Sequence, residues 1–232
     1  MISWPIARAT LRERGLHPAT LVTALVLALL ALTRGGPESW ISGLSSAWFV
    51  WFTLFLGAGL IATEVQSGHA QILLIRPLTR AAFVGGRLAG AALVLTAGTT
   101  LAWLTAQAAA LARGDLHEPL ARLLSLPFSL LPALAWLSLL TALSTVLPGW
   151  LNAGVLVAAR IGWTLFRQLL PQLVQRADVD RVLAAIDAHF GPQAIPRAGP
   201  WAMLLWDLFL FFAGWLLAVA LFRDRELARR RG

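Results

Sequence analysis

The sequence predicts an all-α integral membrane protein with six transmembrane helices, on the basis of its overall apolarity, six apolar stretches and the arginines at their ends. Hydrophobic residues make up 58% of the 232 residues and charged residues 13%, and the mean hydropathy is +0.73. A water-soluble fold cannot bury so large an apolar fraction. The chain shows no internal repeat, low-complexity tract or second soluble domain, so we expect one transmembrane domain over residues 1–232.

The composition also excludes several classes of function. Cysteine is absent, which excludes disulfides, thiolate metal sites and a thiol nucleophile. All 19 cationic residues are arginines, so Schiff-base chemistry and the lysine of a phosphate-binding loop are excluded, and the chain cannot itself be a P-loop ATPase. The net charge of +8 does not indicate nucleic-acid binding, because the arginines cluster at the ends of apolar runs, as in membrane proteins that face anionic lipid.

Each predicted span approaches or meets the length of about 20 mostly apolar residues that a helix needs to cross a bilayer. The first span follows a basic segment, the third is long enough to tilt or to project beyond the bilayer, and the fifth begins after the break at Pro148 and Gly149. The predicted spans cover residues 17–33, 40–62, 83–111, 127–147, 150–170 and 200–222.

The arginines predict that both termini are cytoplasmic, because short cytoplasmic loops carry the positive excess. The loops on the inner side would hold Arg8, Arg12, Arg14, Arg76, Arg80, Arg87, Arg223, Arg225, Arg229, Arg230 and Arg231. The outer loops are close to neutral, since Arg34 accompanies Glu38, Arg113 and Arg122 accompany Asp115 and Glu118, and Arg176, Arg181 and Arg197 accompany Asp178, Asp180 and Asp187.

The N-terminal segment is predicted to form an interfacial helix on the inner leaflet, since Trp4, Ala7 and Leu11 share one helical face beside Arg8 and Arg12. An unstructured basic tail is the alternative. A secretory signal peptide is disfavoured, because the basic region is long, no small-residue cleavage site follows the apolar run, and five further spans would still require membrane insertion.

Two helices are predicted outside the spans. Residues 64–80 start polar, carry apolar Val65 and Ile72, and reach a helix stop at Pro77, which predicts a short helix parallel to the membrane that fits a groove on a cytoplasmic partner. Between spans five and six, apolar residues recur at helical spacing among acidic ones, which predicts an amphipathic helix on the outer side. Its apolar positions are Val179, Leu183, Ile186 and Phe190.

The connection between spans two and three carries an ordered pattern: Glu, a Gly four residues later, a Leu-Leu pair, then Pro, an aliphatic residue, Thr and Arg, and a basic residue that opens the next span. This pattern resembles that of the permease subunits of type-2 ABC transporters, bacterial exporters whose membrane subunit and ATPase are separate chains. Many members have Arg-Glu before the Gly and Thr after it, where this chain has Gln66-Ser67 and His69. The matching positions are Glu64, Gly68, Leu73, Leu74, Pro77, Leu78, Thr79, Arg80 and Arg87.

The resemblance implies that residues 64–80 include the coupling helix that docks on the ATPase, with Gln66 among the coupling residues. It implies a multi-pass permease of the bacterial cytoplasmic (inner) membrane, whose partners are an ABC ATPase subunit and a second permease copy or close homologue. ATP and magnesium would bind to the ATPase, and this chain would hold no cofactor, metal or catalytic residue. The alternative is a polar loop whose arginines face lipid.

Three ionisable residues fall inside predicted spans, where charge is costly and usually faces a bundle interior, a cavity or a partner. Arg160 and Arg167 are two helical turns apart and share a face of the fifth span. We predict that Arg167 pairs with Asp207 of the sixth span and that Arg160 faces a subunit interface or the conduit. The alternative is that these arginines extend to the lipid headgroups.

Other functions fit the sequence less well. An intramembrane serine protease near Ser45 would lack a base, because all four histidines lie in loops or at span ends. The consecutive His117 and Glu118 beside Asp115 fit a solvated loop better than a metal site. A membrane scaffold without a transport cycle is the chief alternative, and an ion-driven transporter is the third, although it would normally show mid-membrane carboxylates and broken helices. The sequence does not identify the cargo.

Overall fold

A computed structural model describes residues 2–33, 44–68, 79–114, 119–174 and 200–231. Within these ranges the chain forms eight α-helices and no strand. They are α1 (Trp4–Gly15), α2 (Pro18–Thr33), α3 (Leu44–Gly57), α4 (Ala62–Gln66), α5 (Arg80–Ala112), α6 (Pro119–Val146), α7 (Leu151–Val174) and α8 (Pro200–Arg231). The helical prediction is confirmed for this part of the chain.

The helices correspond to the predicted spans, with differences at their ends. The second predicted span is interrupted, since α3 ends at Gly57 and α4 begins at Ala62. The fourth begins eight residues earlier than predicted, and Pro127 and Pro132 both lie inside α6. A proline inside a helix removes one backbone hydrogen bond and its ring crowds the carbonyl four residues earlier, but the helix continues through both prolines here, so Pro127 did not mark its start. The predicted outer helix at residues 178–190 lies outside the described residues.

In the part of the chain that the structure describes, two helical segments are long and apolar enough to cross a membrane: α5 and Leu204–Arg223 of α8. Only 11% of the apolar window in Leu204–Arg223 is buried inside the protein. Its exposed side chains include Leu205, Phe209 and Leu216. A large contiguous apolar surface is unfavourable in water, and this one fits contact with lipid.

Two buried clusters define the directions of the packed helices. The upper core contains Phe52, Leu56, Leu60, Leu88, Ala91, Val94, Leu95, Ala102, Ala106, Ala133 and Leu137. The lower core contains Ile6, Ile61, Phe83, Val84, Ala142, Ala218 and Phe222. Along the sequence, α5 runs from the lower core to the upper core, while the chain from α3 to α4 and the chain along α6 run from the upper core to the lower one. Helix α5 is therefore antiparallel to α3 and α6.

The N-terminal helix α1 packs along the first turns of α5 and runs in the same direction. Ser3 N donates to Ala82 O at 3.2 Å at one end of the contact, and Gly15 lies beside Val94 at the other. The buried face of α1 comprises Ile6, Ala7 and Thr10. A helix is confirmed here and the basic-tail alternative is wrong for these residues, whereas the interfacial placement stays a prediction. Trp4 and Leu11 of the predicted apolar face are exposed.

Glycines of α5 allow α1 to approach its backbone closely. A Cβ atom at Gly90 would lie 2.5 Å from Ala7 O and 2.6 Å from Thr10 Cβ, and one at Gly86 would lie 2.8 Å from Ser3 O. Distances this short require one helix to move away, because the neighbouring atoms include rigid backbone oxygens of α1. The contact between α1 and α5 therefore depends on these glycines.

Replacing Gly90 with valine is expected to destabilise the α1–α5 contact by about 1–3 kcal/mol or more, since it forces overpacking. The absence of cysteine permits a direct measurement, because a single cysteine introduced at buried Ile6 can be labelled with a maleimide. We expect slow labelling with Gly90 present and faster labelling in Gly90→Val. Gly154→Val is the matched control, since a Cβ at Gly154 meets nothing within 4 Å. Equal labelling rates in the protein with Gly90 present, in Gly90→Val and in Gly154→Val would contradict the packing argument.

Candidate functional site

The candidate site lies where the interrupted second predicted span ends. Helix α4 is one turn long and carries Glu64, and Gly68 follows it with a φ of +76°, a left-handed conformation that favours glycine. Helix α5 begins at Arg80, twelve residues after Gly68, and the Thr79 hydroxyl accepts a hydrogen bond from Ala82 N at 3.2 Å as an N-cap. Both ends of the predicted coupling segment are thus held in defined local structure.

A buried arginine joins this segment to the rest of the protein. Arg87 lies two turns into α5 and only 7% of its side chain is exposed. Its Nη2 donates to Glu64 Oε1, and its Nη1 donates to Glu13 Oε2 at 2.7 Å and to Thr10 Oγ1 at 3.2 Å. We call Thr10, Glu13, Glu64 and Arg87 the Arg87 cluster. It connects α1, α4 and α5 through one guanidinium group.

The Arg87 cluster is held rigidly by its surroundings. Thr10 is fully buried, and its hydroxyl donates to Ile6 O at 3.0 Å while it accepts from Arg87. The Glu64 carboxylate is 13% exposed and that of Glu13 is 49% exposed. Charge-assisted hydrogen bonds from a planar guanidinium to two carboxylates are strong and directional, so they define the relative positions of the three helices.

A second arginine lies beside the Arg87 cluster but is poorly paired. Arg14 Nε is buried, has no hydrogen-bond partner and lies 3.9 Å from Glu13 Oε1. Burial lowers the pKa of Arg14; Glu13 opposes this decrease, Arg87 adds to it and Glu64 opposes it. The guanidinium nonetheless stays charged, since arginine ionises over the whole physiological range.

The break between α3 and α4 is stabilised by polar side chains from two other helices. Asn152 Nδ2 donates to Gly57 O at 2.9 Å and to Leu140 O at 3.1 Å, and its Oδ1 accepts from Gly59 N at 3.3 Å. Ser144 Oγ accepts from Ile61 N at 3.0 Å. Gly59 adopts a φ of +62°. Because a backbone group that is buried without a hydrogen-bond partner costs several kcal/mol, these contacts make the break possible.

The structure brings together two of the predicted coupling residues, Glu64 and Arg87, as an ion pair. Gln66 is exposed, Gly68 terminates the turn after α4, and Thr79 and Arg80 lie at the start of α5. The predicted positions Leu73, Leu74 and Pro77 lie outside the described residues.

The three charged residues that were predicted to lie inside spans are described less completely. Arg160 and Arg167 lie in α7, and their side chains are outside the described part of the structure. Asp207 is partly buried in α8. The pairing of Arg167 with Asp207 therefore stays a prediction.

Sequence reasoning missed Thr10, Glu13, Ser144 and Asn152. Two signals could have indicated them: Glu13 is the only carboxylate in the basic N-terminal segment, and Asn152 is the only asparagine in the chain. Neither signal names a partner. Glu13 and Arg87 are 74 residues apart, and Asn152 and Gly57 are 95 apart, so only the folded chain shows these contacts.

Among the described residues, no three His, Asp or Glu side chains lie close enough together to hold a metal ion. The Arg87 cluster joins α1, α4 and α5 through charged hydrogen bonds. Comparison with known proteins found no matching family model and no matching curated protein.

Proposed function

We propose that the chain is the permease subunit of an ATP-binding cassette exporter, which forms the transmembrane pathway and couples to a separate ATPase subunit. The observation that carries the proposal is the ion pair between Glu64 and Arg87, two positions of the motif that resembles the permease family. In this proposal residues 64–80 are the coupling segment, and the Arg87 cluster links that segment to the membrane helices.

Coupling requires that a displacement of the cytoplasmic segment moves the membrane helices rather than being absorbed in a loose loop. The segment is tied at its start, where Glu64 binds Arg87, and at its end, where Thr79 caps α5. Since packed elements transmit displacement when their contacts are rigid, movement of the segment would reach α5 directly and α1 through Glu13. A loop that merely connects two spans does not require this anchoring.

The packing supports the proposed six-span topology. Helix α5 is antiparallel to α3 and α6, as three successive passes through a bilayer require. The segment from Pro18 to Thr33 follows the basic α1 and packs against α5. With both termini on the inner side, the Arg87 cluster lies at the cytoplasmic end of the helices, where an ATPase could reach the adjacent segment.

The test is co-purification in mild detergent with an ABC ATPase subunit from the same genome. We expect wild type to recover a complex, and Gly68→Trp to lower recovery about tenfold, equivalent to a loss of roughly 1.4 kcal/mol of binding free energy. Glu64→Ala is expected to assemble but to lower ATP turnover, because the segment loses its link to Arg87.

Matched controls separate coupling from folding. Gly114→Trp places the same residue at a glycine with a φ of +74° and nothing within 4 Å of its Cβ position, as at Gly68, but at the other end of α5. Glu13→Ala removes the other carboxylate bound to Arg87 but keeps the link from the segment to α5, so it is expected to lower ATP turnover less than Glu64→Ala does. If no ATPase associates, or if the variants and controls behave alike, the exporter proposal fails in favour of a scaffold or an ion-driven transporter.

A further inference from the structure

Two breaks in the helices lie against each other. The chain between α3 and α4 contains Gly59 with a φ of +62°, and the chain between α6 and α7 contains Gly149 with a φ of +52°. A Cβ atom at Gly59 would lie 3.3 Å from Gly149 O, so the two backbones are close together. Asn152, in the first turn of α7, forms hydrogen bonds to the first break. We call the two breaks and Asn152 the joint.

Helix α4 belongs to a hydrogen-bonded unit that starts inside the joint. Thr63 N donates to Gly59 O at 3.2 Å, and the Thr63 hydroxyl donates to the same oxygen. At one end of this unit the Gly59 amide donates to Asn152 Oδ1. One turn further along, the Glu64 carboxylate binds Arg87. A displacement of α4 therefore acts on Asn152 directly.

The angle of α7 is not set by a continuous helix, because α6 ends before Pro148 and α7 begins after Gly149. Pro148 has no N–H group, and a Cβ at Gly149 would meet no described atom within 4 Å. Contacts of the first turns of α7 must therefore define its angle. Asn152 is fully buried there, and Ala153 packs in a buried cluster with residues from α6 and from the end of α3.

Asn152 is the polar contact that holds this angle. Its amide nitrogen donates to Gly57 O and Leu140 O, while its amide oxygen accepts from Gly59 N. A buried amide that uses both its nitrogen and its oxygen in this way cannot turn without losing hydrogen bonds. Because Gly57 ends α3 and Gly59 starts the unit that contains α4, the side chain bridges both sides of the first break.

From these contacts we propose that the joint is a hinge through which the position of α4 sets the angle of α7, with Asn152 as the positioning residue. Hinges consist of a few loop or helix-end residues that absorb changes of φ and ψ, as the two glycine-containing breaks can. The hinge rests on contacts inside this chain and requires neither transport nor an ATPase. In an exporter it would add α7 to the helices that follow the coupling segment.

The experiment measures the angle of α7 by double electron–electron resonance between two nitroxide labels. Since the chain contains no cysteine, Leu165→Cys in α7 and Leu205→Cys in α8 give one label pair at exposed positions. Leu165 lies 13 residues beyond Asn152, about 20 Å along the helix, so a tilt of roughly 10° displaces it by about 3.5 Å. Without further substitutions we expect one narrow distance distribution.

Three substitutions disturb the hinge from different sides. Glu64→Ala frees α4 from Arg87. Asn152→Ala removes the polar link to α7, and Gly59→Ala places a Cβ against Gly149 O. Each substitution is expected to shift or broaden the distance distribution by about 3–4 Å, which corresponds to the tilt given above.

Matched controls separate a change at the hinge from general loosening. Glu13→Ala removes a carboxylate from Arg87 but leaves Glu64 bound to it. Gly114→Ala puts alanine at a φ of +74° with open space around its Cβ, so it imposes backbone strain like that of Gly59→Ala at a distance from the joint. Both controls should keep the narrow distribution.

A narrow, unshifted distribution in Glu64→Ala or in Asn152→Ala would overturn the proposal, because α7 would then be held independently of α4. An equal change in Glu13→Ala or Gly114→Ala would also overturn it. Glu64→Ala alters no group of the joint, so it decides the question even if Asn152→Ala unfolds, as judged by circular dichroism. None of these outcomes depends on whether an ATPase co-purifies.

Discussion

Replacing Arg87 with glutamine is expected to destabilise the protein by about 3–5 kcal/mol, because it leaves buried charge without its partner. Arg87 is 7% exposed and the Glu64 side chain 13%, so solvent cannot compensate for the lost ion pair. Since Arg87 also binds Glu13 and Thr10, the substitution should loosen α1 and α4 together. The measurement is the free energy of unfolding in mixed micelles.

The control for this prediction is Arg223→Gln, which removes an exposed arginine of α8 and is expected to change stability by no more than about 0.5 kcal/mol. A double substitution, Glu64→Met with Arg87→Met, should recover part of the loss, because a buried ion pair can be replaced by apolar side chains at little cost. If Arg87→Gln lowers the free energy of unfolding no more than Arg223→Gln does, the Arg87 cluster contributes nothing to stability.

Replacing Asn152 with leucine should destabilise the protein by about 2–4 kcal/mol, because it removes hydrogen bonds to three buried backbone groups at similar side-chain volume. Those groups are Gly57 O, Gly59 N and Leu140 O. The Asn152 side chain is fully buried, so water cannot replace it. Asn152→Asp should be worse than leucine, since a carboxylate would face two carbonyl oxygens. The loss of stability in both variants is measured by thermal unfolding in detergent.

The control for Asn152 is Gln107→Leu, which removes a partly exposed amide of α5 and should have little effect. Hydrogen exchange provides a local readout, because the Gly59 and Ile61 amides should lose protection in Asn152→Leu before the rest of the protein does. Unchanged protection at these two amides would show that the break does not depend on Asn152.

Much of the helical content followed from the sequence because apolar length is a local property. Five of the six predicted spans each overlap one continuous helix, namely α2, α5, α6, α7 and α8, although α6 begins eight residues before its predicted start and α8 ends nine residues after its predicted end. The second span shows the limit of this reasoning: residues 40–62 are apolar throughout, yet the helix is interrupted after Gly57. Hydropathy does not detect the break, since Asn152 and Ser144, which stabilise it, are more than 80 residues away.

The residues of the candidate site also fall into two groups, those that the sequence indicated and those that only the fold revealed. Glu64 and Arg87 stood out because the motif containing them occupies one short stretch of sequence. Thr10 and Glu13 did not, because the N-terminal segment could be interpreted as an interfacial helix from its exposed face, Trp4 and Leu11, rather than from its buried one. The buried face of α1 is apparent only in the folded protein, where it packs against Gly86 and Gly90 of α5.

The sequence by itself determined that this protein is apolar, helical and rich in arginine at the helix ends, because composition and periodicity act over a few residues at a time. It also determined which stretch between the second and third predicted spans carries the motif. Only the tertiary structure decided that Arg87 pairs with Glu64 and Glu13, and that Asn152 supports an interrupted helix. These contacts depend on the packing of helices distant in sequence, and the choice of partner for a buried charge or amide is made by that packing.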